Sequence, residues 1–201
     1  MGTGQARALP RIARLDLVVV ARERTIAEAL SSGESAVARV RAALVAAGTE
    51  PADTTTDGLA VQAEQIWSEG DGPQVVGFRA DHGLRVLVRD LHALGSVLGG
   101  ALAAGGDLMR VNGVDFAVED EEPLRRQARE AAWGDALGRA RHLAGLAGRE
   151  LGPVSSVVES PVRGEAVALG GVRVLSAGSE PDVRPAAVLC RVELAVNWVL
   201  R

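Results

Sequence analysis

Lysine and tyrosine are absent from this 201-residue chain, and all 22 basic side chains are arginine. Against 26 acidic residues the net charge is −4, which is not the basic footprint of a nucleic-acid-binding protein, so no nucleic-acid partner is expected. One cysteine, Cys190, excludes an intrachain disulfide and any zinc site built from several thiolates. No window approaches the roughly 18 uncharged apolar residues of a spanning helix, so membrane insertion is not expected. Met1 to Arg14 has neither the apolar run nor the small-residue cleavage site of a signal peptide, and on that reading the chain is cytoplasmic.

What is present is ordinary for a globular protein: 47% hydrophobic and 24% charged residues. The length suits one medium domain over residues 1–201, able to bury roughly 70% of its unfolded surface without a disulfide or metal.

Along the chain, a short leading strand around Gly4 to Ala8 is separated by Pro10 from a β-branched strand, Leu15 to Val20. Thr25 and Glu28 have the spacing of a capping box, opening a helix towards Ala47 in which Gly33 is a weak point and Gly48 the stop. Thr54 to Trp67 and Val75 to Arg89 read as a hairpin around the turn Gly70-Asp71-Gly72-Pro73. Asp90 caps a second helix ending near Gly105-Gly106, and Val111 to Val118 is the next strand. Four acids, Glu119 to Glu122, precede Pro123 and suit the positive end of a third helix, which carries Trp133, Leu137, Ala140, Ala144 and Ala147 on one stripe. Val154 to Val158 and Val188 to Leu200 complete the strands.

Leu15 to Leu59 and Leu84 to Val114 echo each other weakly as two β-α-β units. Joined by the hairpin they give a β-α-β-β-α-β core, an α+β fold with an antiparallel sheet and its helices on one face, followed by a long helix and C-terminal strands. Residues 160–187, rich in Gly and Pro, read either as a surface loop or as a hairpin arm packing on a neighbouring subunit.

Several segments are similar to the SIMPL-domain family. They are Gly2-Thr3-Gly4-Gln5-Ala6 before the first strong strand; Gly77-Phe78-Arg79 leading to Arg89-Asp90-Leu91 and Gly95; Val111-Asn112-Gly113-Val114-Asp115-Phe116; and Ala128-Arg129-Glu130-Ala131-Ala132 through Leu143-Ala144 and Gly148, with Leu151-Gly152-Val154 beyond. They occur in family order over nearly the whole chain. The resemblance implies an α+β fold and a bacterial protein whose relatives include exported and immunogenic members, one of them a hollow ring-like oligomer. The namesake eukaryotic member is an adaptor for a kinase. It implies no catalytic motif, so no functional residue carries over.

The chemistry-bearing residues agree. Asp81 and His82 are neighbours on one strand and point to opposite faces; His92 and His142 lie on helices without ligand spacing. Cys190 sits among Val188, Val192, Leu194 and Val196, as packing rather than as a nucleophile. Ser96, Ser155, Ser156 and Ser176 lack a nucleophile elbow. Trp133 is expected in the core, while Trp67 and Trp198, at element ends, suit an interface as well as a core rim. No catalytic, cofactor-binding or metal-binding residue is assigned and no cofactor is expected. The leading reading is a non-enzymatic protein acting as a homo-oligomer or through an unidentified protein partner. The alternative is a small-molecule binder or enzyme with a cleft between sheet and helices, its polar groups drawn from Arg79, Asp81, His82 and Asp115.

Overall fold

In the computed structural model, residues 1–68, 72–160 and 186–201 are described, together with the backbone of Val167–Ala168. The described chain divides into two compact units, one built from Arg11–Phe116 and the other from Met1–Pro10 and residues beyond Ala117.

After strand β1 (Gly2–Ala8), the unit from Arg11 to Phe116 contains, in order, strand β2 (Ile12–Glu23), helix α1 (Ile26–Ala46), strands β3 (Thr54–Ser68) and β4 (Gly72–Val88), helix α2 (Leu94–Gly105) and strand β5 (Met109–Ala117). The sheet runs β3-β4-β2-β5, the strand order of a split β-α-β fold. The expected β-α-β-β-α-β core is therefore one sheet. α1 packs on β2, β4 and α2. Alternation decides which side is covered: Leu15, Leu17 and Val19 of β2 and Leu84, Val86 and Val88 of β4 are buried, with Val40 and Leu44 of α1 and Val97 of α2. The opposite face carries ion pairs, Arg85 to Asp57 at 2.6 Å and Arg22 to Glu64 at 2.7 Å. Thr25 and Glu28 form the expected capping box, and Gly48 follows α1 with φ +93°, a conformation that favours glycine. Asp90 caps one turn of 3-10 helix, Leu91–Ala93, that leads into α2.

The other unit begins with strand β1 (Gly2–Ala8) and continues with helix α3 (Glu122–Leu146) and strands β6 (Leu151–Ser160), β7 (Val167–Ala168) and β8 (Val188–Leu200). β8 is central, flanked antiparallel by β1 on one edge and by β6 and β7 on the other. The leading strand, long helix and C-terminal strands thus build a second sheet. α3 lies on β1 and β8 over a core of Leu124, Ala128, Ala132, Ala136, Val188, Val192, Leu194 and Val196. Gly2 and Gly4 explain the small residues on the helix. A Cβ on Gly2 would strike the backbone of Ala132 and Ala136, and one on Gly4 that of Ala128 and Ala132. The unit is therefore held together by close backbone approach, which only Gly facing Ala permits.

That approach corrects the expected stripe. Ala128, Ala132 and Ala136 face inward, whereas Trp133 is 37% exposed and Ala147 is exposed. Of the segment 160–187, all but Ser160, the backbone of Val167–Ala168 and residues 186–187 lies outside the described residues.

Candidate interaction surface

The residues proposed for a cleft are not brought to one place. Arg79 and Asp81 share a face of β4 and bond to each other, Nε to Oδ1 at 2.7 Å. His82 points the other way, 8% exposed, and its Nε2 has no hydrogen-bond partner among the described residues. Asp115 is exposed on β5. His92 and His142 are exposed, the former donating its backbone N–H to Asp90. Cys190 is a free thiol packed against the α3–β8 core. Ser96 and Ser155 donate to backbone carbonyls, and Ser156 accepts from Asn197. Ser176 lies outside the described residues. The acids before Pro123 serve the helix start: Asp120 accepts from the N–H of Glu122, and Glu121 pairs with Arg125.

Apolar surface is where the molecule departs from an ordinary globular exterior. β2 ends at Glu23 opposite Phe78, so the β3–β4 hairpin runs on beyond it as a two-stranded ribbon. That ribbon exposes Ile66, Val75 and Val76, and Trp67 is 82% exposed. Among the described residues no further layer covers this ribbon, and two strands alone are marginal in water. Trp67 is therefore not at a core rim. Sequence reading found Trp67 but not its companions, because apolar residues occur on both faces of this hairpin and leave no alternation to read.

Trp198 takes the rim role: it packs against the α3–β8 core, its ring centroid 6.1 Å from that of Trp133. Beside this pair lies a cavity of about 360 Å³ lined by Arg129, Glu130, Trp133, Val157, Glu159 and Leu194. Arg129 donates two hydrogen bonds to Glu159, at 2.8 and 3.2 Å, tying α3 to β6. Those bonds raise its already high pKa, so the guanidinium stays charged. β6 is an edge strand, which suits Pro153, and it exposes Val154, Val157 and Val158. Among the described residues no helix is long and apolar enough to cross a membrane.

The SIMPL family model, described as a protein of unknown function (DUF541), matches residues 1–197. The chain belongs to the SIMPL family. One SIMPL relative, the 26 kDa periplasmic immunogenic protein of Brucella melitensis biotype 1, is 30% identical over 196 residues, covering 92% of this chain and 76% of the relative. Two proteins named uncharacterized protein YggE, from Edwardsiella ictaluri and Escherichia coli K12, are 33% and 31% identical over 156 residues; this chain spans 64% and 62% of their lengths. These SIMPL relatives are bacterial, as the resemblance implied. None of them supports the cytoplasmic expectation, and one is named for the periplasm.

Proposed function

We propose that this SIMPL protein acts without chemistry of its own, by associating with further copies of itself in the bacterial periplasm. The observation that carries the reading is the β3–β4 hairpin, which extends past its sheet and presents Ile66, Trp67, Val75 and Val76 to solvent. Covering such a surface is a strong drive to association. The scatter of Arg79, Asp81, His82 and Asp115 over different faces favours binding over catalysis. The periplasmic setting is taken from the name of the Brucella relative. The test is the absolute mass of the full chain by light scattering on a sizing column. A discrete multiple of 20.8 kDa supports the reading. A monomer at every concentration overturns it and leaves a different protein as the partner.

The cavity beside Trp133 favours a second reading, a site for a small apolar ligand, since its volume lies within the usual range for such sites. Quenching or a spectral shift of indole fluorescence on titration with a hydrophobic dye, lost in Val157→Arg at an exposed lining position, would support it; an unchanged spectrum would count against it.

A further inference from the structure

We infer that the cavity between α3 and β6 is a binding site for an organic cation, an ammonium group carried on an apolar body. The inference rests on the second reading above, a small-ligand site at this place, and adds the charge and class of what it holds.

The cavity is assembled by the spacing of its residues. Trp133 follows Glu130 by three positions and Arg129 by four, so its indole stands beside both on one side of α3. Val157 and Glu159 are two apart on β6 and share one face of the strand. Leu194, opposite Glu159 in the β6–β8 ladder, is buried and gives the site an apolar floor. Packing against Trp198 holds the Trp133 ring in place, while the part of it left exposed lines the cavity. A body of a few carbon atoms would displace water from Val157, Leu194 and the indole.

Charge selects the head group. Arg129 is the one cation lining the cavity among the described residues, and it is already committed. Its Nε and Nη2 donate to Glu159, and its Nη1 lies 3.5 Å from a carboxylate oxygen of Glu122. Two carboxylates thus share one guanidinium. Glu130 adds a third, exposed on the wall and without an ionic partner among the described residues. Arg126, one turn earlier, does not line the cavity. An anionic ligand would meet Glu130 and find no free donor. An ammonium gains from the carboxylate and from the negative face of an indole together. A bare metal ion fits poorly, because no group of three metal-ligating side chains occurs among the described residues.

Three probes of similar shape and different charge test this: benzyltrimethylammonium, benzyl alcohol and phenylacetate. Each is titrated into the full chain and followed at the indole N–H resonance of Trp133. The ammonium should bind about tenfold tighter than the alcohol, and phenylacetate more weakly than either. Glu130→Gln, at an exposed position, should remove most of the ammonium's advantage and leave the alcohol unchanged, which shows the cavity itself to be intact. Val157→Arg should abolish binding of both ammonium and alcohol. An ammonium no tighter than the other two probes, or an advantage that survives Glu130→Gln, overturns the inference while the apolar-ligand reading stands. Ammonium binding that survives Val157→Arg lies elsewhere and also overturns it. No response to any probe overturns both.

Discussion

His82 occupies the space into which a side chain on Gly33 would project: a Cβ built on that helix glycine falls against the imidazole Nε2 and Cδ2. Gly33 reads in the sequence as a weak point of α1, and in an exposed helix Gly→Ala stabilises by about 1 kcal/mol. Here the sign reverses. His82 is buried on β4, so it cannot swing aside, and Gly33→Ala should cost about 1–3 kcal/mol by overpacking. In a His82→Ala background the same change should be neutral or stabilising. Urea unfolding of the four proteins in this cycle decides it; an equal loss in both backgrounds would contradict the contact.

Gly2 and Gly4 make the corresponding prediction for the other unit. Their neighbours are backbone atoms of α3, which yield less readily than a side chain. Gly2→Ala and Gly4→Ala should each destabilise by about 1–3 kcal/mol or more, read as a lower denaturant midpoint. Gln5→Ala, on the exposed face of β1 next to Gly4, should change the midpoint little. Wild-type midpoints for the two glycine variants would rule out the close helix–strand approach.

The start of β1 also sets a pH dependence. Asp135 accepts a hydrogen bond from the Thr3 N–H at 2.8 Å, and this bond, with the nearby Arg139, holds its carboxyl below the ordinary value. A carboxyl depressed in the folded chain contributes stability that is complete above its unfolded pKa, about 3.9, and is lost as pH falls through the folded one. Asp135→Asn should therefore lower the urea midpoint at pH 7, with the gap to wild type closing on acidification below about pH 4. A gap as wide at pH 3 as at pH 7 would show that the charge is not what matters.

The parts of the fold that were legible in sequence are those with local causes. Thr25 with Glu28 marks the start of α1 because the two satisfy each other's backbone donors, and Val188–Leu200 is a strand over the full expected range because its inward positions are apolar throughout. The α3 stripe was misplaced for a non-local reason. Large apolar residues such as Trp133 and Leu137 dominate any periodicity, but the strand opposite carries Gly2 and Gly4 and admits only alanine. The division into two sheets was illegible for a similar reason, since β1 pairs with β8 from the far end of the chain and no short-range pattern encodes that partnership. Of the candidate surface, Trp67 was visible as an aromatic at an element end. Its prominence depends on where β2 stops, which is a property of the register.

The central claim is that the tip of the β3–β4 hairpin is covered by another copy when the protein is at work. Hydrogen–deuterium exchange across residues 61–78, followed over a dilution series of the full chain, tests it most directly. Amides in this segment should be protected at high protein concentration and become fast-exchanging on dilution, while those of buried β2 stay slow throughout. Fast exchange at the tip at every concentration, in a sample whose mass shows assembled protein, would contradict the claim.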